Sequence, residues 1–116
     1  MAIRRIVKEG DPILRMKCRP VTEFGEKLNQ LLDDMHETLE QANGVGLAAP
    51  QVGYCRRFFI MHLGDVKIEA INPEIKKTSG KQYVLEGCLS VPNKWGYVTR
   101  PNKCKFRAQN RKGEWY

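Results

Sequence analysis

One stretch of this chain, and no other, repeats its apolar residues at the period of a helix. Phe24, Leu28, Leu31, Leu32, Met35, Leu39 and Ala42 fall on one side of a helix over residues 23–43, because each turn brings every third or fourth side chain to the same face. Thr22 is the expected N-cap, with a hydroxyl able to accept a free N–H of the first turn. Asn43-Gly44 is the expected stop, since glycine tolerates the left-handed conformation that closes helices. Residues 1–22, broken by Pro12 and Pro20, read as an extended arm along the surface. Residues 45–53 are too rich in Gly and Pro for regular structure.

Beyond residue 53 the pattern is that of strands. Residues 57–63 and 66–72 flank a short turn at Gly64-Asp65, and residues 74–78 and 82–85 flank another at Ser79-Gly80. Residues 97–100 are short and extended. Residues 103–109 alternate, with Cys104, Phe106 and Ala108 on one face and Lys103, Lys105, Arg107 and Gln109 on the other. Asn110-Arg111-Lys112-Gly113 reads as a hairpin turn and Glu114-Trp115-Tyr116 as the start of a returning strand. One helix followed by antiparallel strands predicts an α+β fold, the helix packed on antiparallel or mixed sheets. The 116 residues give room for one small domain, spanning 1–116. A returning strand that stops after two aromatics leaves its neighbour's edge poorly covered, which predicts a missing continuation.

Composition excludes several classes. Hydrophobic residues make up 41% and charged residues 28%, which is neither disorder nor a fibre. No apolar run has membrane-spanning length, and Met1-Ala2-Ile3-Arg4-Arg5 lacks a signal peptide's apolar core. The expected location is the cytoplasm. Cys18, Cys55, Cys88 and Cys104 show no CxxC spacing and are expected as free thiols. The net charge of +7 suits anionic partners such as RNA or the ribosome, but the cations are scattered, so a basic RNA-binding module has least support.

Two segments carry candidate chemistry. In Gly44-Val45-Gly46-Leu47-Ala48-Ala49-Pro50-Gln51, the glycines permit close backbone approach to a ligand, and the Gln51 carboxamide is placed to donate to a developing oxyanion. A tight connection with a surface Gln is the other reading of these residues. In Glu86-Gly87-Cys88-Leu89-Ser90, a cysteine beside glycine is a ligand, a nucleophile or an inert small hydrophobe.

Together, in this order, the two segments resemble the peptide deformylase motifs GxGLAAPQ and EGCLS without a mismatch. Asp11-Pro12-Ile13-Leu14-Arg15, Ile71-Asn72-Pro73 and Val91-Pro92 also look like that family. The resemblance implies metal-dependent hydrolysis of the formyl group from N-formyl-methionyl peptides, with Fe2+, or Ni2+, Co2+ or Zn2+, as the metal. It implies Cys88 as metal ligand, and Gln51 with the Leu89 N–H as stabilisers of the tetrahedral intermediate. Val45, Gly46, Glu86 and Gly87 would line the substrate cleft, and Trp95 would border the side-chain pocket.

The family's third motif, HExxH on a later helix, is not in the sequence. Two histidines one turn apart would complete the metal site and the Glu between them would act as base. His36-Glu37-Thr38-Leu39-Glu40 imitates it as HExxE. His36 is expected at the surface or boundary of the first helix, and His62 as structural or solvated. The chain is therefore expected to lack the metal-binding helix, to hold metal poorly and to be inactive alone. Exposed apolar faces around Phe58, Ile60, Ile71, Leu85 and Phe106 predict self-association. A non-catalytic peptide- or ribosome-binding pseudoenzyme is the alternative.

Overall fold

A computed structural model describes residues 3–101 and 103–116. The fold is α+β. Helix α1 (Glu26–Gln41) lies on a four-stranded antiparallel sheet of order β1-β2-β3-β6, and β4 pairs with β5 as a separate ribbon. The strands are β1 (Gly46–Ala48), β2 (Phe58–Leu63), β3 (Val66–Ser79), β4 (Gln82–Cys88), β5 (Val91–Arg100) and β6 (Lys103–Gln109). Leu28, Leu31, Leu32, Met35 and Leu39 of α1 pack onto Leu47, Ala49, Val52, Phe58, Ile60 and Ile71. Burying these apolar faces against each other is the main stabilising contribution.

The helix begins later than its apolar period suggests. Gly25 is the N-cap and makes no side-chain cap bond, so Thr22 is not the cap. The cause is distant in sequence: the Asn72 side chain accepts from Val21 N (2.7 Å) and donates to Val21 O (2.9 Å). That clamp holds the approach to the helix extended. The stop lies where expected, but Asn43 takes the left-handed backbone (φ 56°). Gly44 serves close packing instead, since a Cβ there would lie 2.8 Å from Leu39 and 2.9 Å from Leu89.

The arm is fastened to α1 through Asp34, which is 2% exposed. Its carboxylate pairs with Arg4 (2.7 Å) and accepts from Gln30 (2.8 Å), which offsets the cost of burying charge. The 3-10 turn Pro12–Arg15 is started by Asp11, whose side chain accepts from Ile13 N.

Three strand expectations change. Residues 45–53 are regular after all, forming β1 and the 3-10 turn Ala49–Val52, because β2 offers a free edge on which β1 pairs from Gly46↔Met61 to Ala48↔Phe59. Residues 66–79 form one strand, not two. The register shifts between Ile71 and Glu74, and Asn72 has φ 51°; the bulge accommodates Pro73, which has no N–H to give a ladder. Strands β4 and β5 run longer than expected, pairing from Gln82↔Arg100 to Gly87↔Trp95.

The apolar faces divide. Phe58, Ile60 and Ile71 are buried, contrary to expectation, because α1 covers that side of the sheet. Leu85 and Phe106 are exposed. Of the alternating face of β6 only Ala108 is buried. The returning segment is present: Tyr116 and Ala108 exchange backbone hydrogen bonds of 2.8 and 3.1 Å, across a turn in which Gly113 has φ 84°.

Candidate active site

The edge of the four-stranded sheet makes one wall. Among the described strands β1 pairs only with β2, and the Val45 carbonyl accepts from His62 N at 2.7 Å. Successive residues of a strand turn their N–H and C=O to opposite sides. Gly46 therefore presents its backbone groups to the open edge.

Gln51 sits on the 3-10 turn that follows, which Gly53 ends with φ 91°. Its carboxamide is held at both atoms. Oε1 accepts from Ala48 N (3.0 Å), which leaves Nε2 as the outward donor. Nε2 donates to Ser90 Oγ (3.1 Å) and points to Cys88 Sγ (3.7 Å). Ser90 is 3% exposed, so this anchor is fixed. The N-terminal arm ties the two motifs together: Val7 N donates to Gln51 O (2.7 Å) and Glu9 N to Ser90 O (2.8 Å). Lys8 Nζ also reaches Leu89 O (3.4 Å).

The β4–β5 ribbon makes the other wall. Gly87 is opposite Trp95, and a Cβ on Gly87 would meet the indole ring at 2.9 Å. Only glycine lets that ring lie down on the strand. Glu86 takes a two-point hydrogen bond from Arg100 (2.6 and 2.7 Å). Arg100 thereby lowers the pKa of the Glu86 carboxyl, so Glu86 is an ionised, occupied acceptor and a weak base.

Between the walls lies a cleft of about 580 Å³. Every residue singled out from sequence lines it: Val45, Gly46, Gln51, Glu86, Gly87, Cys88, Leu89 and Trp95. Lys94, Pro92 and Leu85 also line it and were not foreseen. Nor was the role of Ser90, although it stands inside the second motif. Cys88, the last residue of β4, is exposed.

The described residues do not make a complete metal site. They contain no group of three or more His, Cys, Asp or Glu side chains able to hold an ion. Cys88 offers one thiolate, where a catalytic centre of this type uses three protein ligands. The histidines are committed elsewhere. His36 Nδ1 meets His62 Nε2 at 2.8 Å, and His36 Nε2 meets Glu69 at 2.8 Å. The rings stack 5.0 Å apart. Arg111 also binds Glu69 and reaches Asp33. Burial acts to raise the Glu69 pKa, but the hydrogen bonds from Arg111 and then His36 outweigh it and hold the carboxyl down at about 2. Burial, with His36 beside it, pushes His62 down. This network braces α1 against β2 and β3. His36 lies half-buried at the boundary of α1 and His62 half-buried on β2, joined to each other, so neither is simply solvated.

Comparison with known proteins gives the same architecture. The polypeptide deformylase family model matches residues 3–116. The peptide deformylase of Clostridium botulinum (strain Alaska E43 / Type E3) is 55% identical over 114 residues, covering 98% of this chain and 78% of the relative. The crystal structure of peptide deformylase from Thermotoga maritima superposes with a TM-score of 0.97 at 41% identity, over 100% of this chain and 80% of that one. A Met-Ala-Ser-bound class I type b peptide deformylase from Acinetobacter baumannii gives 0.93 at 32% identity, over 99% and 81%. With motifs, fold and relatives in agreement, the chain belongs to the polypeptide deformylase family.

Proposed function

We propose that these residues bind an N-formyl-methionyl peptide and stabilise its formyl carbonyl during hydrolysis to formate and a free amine. The observation that carries this reading is the Gln51 carboxamide, fixed by Ala48 and Ser90 with its N–H directed at Cys88. Gln51 Nε2 and the Leu89 N–H donate to the oxyanion as it forms, and being fixed beforehand they need no reorganisation. The peptide lies as an added strand along the open edge of β1 at Val45 and Gly46, with Glu86 and Gly87 opposite. Trp95 borders the side-chain pocket. The bound Met-Ala-Ser of the Acinetobacter baumannii relative supports a peptide of this kind.

Cys88 is the proposed ligand for Fe2+, or for Ni2+, Co2+ or Zn2+. One thiolate does not retain such an ion, and Glu86, tied to Arg100, does not replace the base. These 116 residues by themselves are therefore proposed to bind peptide without turnover, with the cytoplasm as the proposed location. No helix among the described residues is long and apolar enough to cross a membrane. The exposed Leu85, Phe106, Tyr83 and Tyr97 favour self-association, which sedimentation will read. The alternative is a non-catalytic peptide- or ribosome-binding protein, favoured by a formed cleft whose carboxylate, Glu86, is taken up by Arg100. Metal content and a deformylation assay on one anaerobic, Fe2+-supplemented sample test the reading. Near-zero metal and no turnover are expected; stoichiometric metal with turnover contradicts it.

A further inference from the structure

Away from the cleft, two cysteines face each other where the arm meets the segment after the Gln51 turn. Cys18 Sγ and Cys55 Sγ are 3.8 Å apart, and both residues are half-buried. The main chain builds this approach. Arg19 and Arg56, each one residue further on, form a parallel bridge. Arg57 N donates to Arg19 O at 2.9 Å, and the Arg57 guanidinium donates to Cys18 O at 2.8 Å. The two cysteines therefore stand in register across a bonded pair of segments.

We propose that Cys18 and Cys55 are a redox-modification site that closes to a disulfide under hydrogen peroxide or a related peroxide. Disulfide formation needs the sulfurs to approach to about 2 Å from backbones already side by side, and side-chain rotation supplies that motion. One thiolate attacks a peroxide oxygen and the O–O bond breaks, giving a sulfenic acid and hydroxide. The second thiol then attacks that sulfur, the S–O bond breaks and water leaves. In sum, two thiols and one peroxide give one disulfide and two waters, with two electrons passing from sulfur to oxygen.

Burial, and then the neighbouring Cys55 thiol, push the Cys18 pKa up, and Arg57 and Arg56 offset part of that rise. The pair thus stays as thiols in a reducing compartment and reacts when oxidant rises. The closed bond ties the arm, which spans Gln51 and Ser90 through Val7 and Glu9, to the segment leaving the Gln51 turn.

The test exposes the reduced, folded chain to hydrogen peroxide, blocks remaining thiols by alkylation and maps the peptides by mass spectrometry. The expected result is a peptide pair joined through Cys18 and Cys55 within one chain and separated by dithiothreitol. The Cys88→Ser/Cys104→Ser variant, which keeps both partners, should form the same link. Cys18→Ser and Cys55→Ser should each abolish it. Recovery of Cys18 and Cys55 as separate alkylated thiols in the wild type and the double variant would overturn the proposal, as would links made only between chains.

Discussion

The two walls of the cleft are built to different standards. The β1 wall belongs to a sheet covered by α1, with Leu32, Met35, Leu39, Leu47 and Ile60 almost wholly excluded from water. The β4–β5 wall is a two-stranded ribbon whose Tyr83, Leu85, Trp95 and Tyr97 are all more than half exposed. A two-stranded ribbon has little independent stability in water. Ser90, buried and bonded to Gln51 and to the arm, joins the two. The difference teaches where each task resides: the packed half fixes the donor, and the thin half carries the thiol and the adjustable surface.

Substitutions should separate the halves sharply. Leu39→Ala empties a fully buried position under α1 and should cost about 2–5 kcal/mol in urea denaturation. Gly44→Ala comes next. Its Cβ would press on Leu39 and Leu89, and overpacking of this kind costs about 1–3 kcal/mol.

Acid should act on the packed half as well. Glu69, held near 2 from an ordinary 4.5, contributes stability that is present above 4.5 and lost as pH falls towards 2. His62 is lowered from 6.5, so its contribution is present above 6.5 and lost as pH falls through its folded value. Residue-resolved hydrogen exchange from pH 7 downwards should show α1 and β2 loosening first; uniform exchange across both halves would erase the distinction.

On the ribbon the effects shrink. Gly87→Ala makes as close a Cβ contact as Gly44→Ala, but the atom met is an exposed indole free to swing away. It should change stability by less than about 1 kcal/mol while shifting Trp95 fluorescence and weakening peptide binding. Leu85→Ala should stay within about 0.5 kcal/mol. A loss as large as that of Leu39→Ala would mean the ribbon is covered in solution.

Much of this was legible in the sequence. The helix follows from its apolar period, and the cleft from two motifs whose residues meet although separated along the chain. What escaped depends on contacts with no local trace. The Val21–Asn72 clamp that delays α1, the arm's bonds from Val7 to Gln51 and Glu9 to Ser90, and the His36–His62 pair all join distant positions without periodicity. Proline at 73 reads locally as a break, and only the bulge at Asn72 lets β3 continue. Phe58, Ile60 and Ile71 show where pattern reading misjudged coverage: α1, together with Leu47, Ala49 and Val52, buries them.

The most direct measurement is a titration of the isotope-labelled chain with N-formyl-Met-Ala-Ser, followed through backbone amide shifts. Saturable movement of Gly46 and Leu89 together, with Gly87 responding and Ile60 silent, is the predicted result. Shifts confined to other surfaces, or none at concentrations that saturate a complete deformylase, would contradict a peptide cleft shared between these two walls.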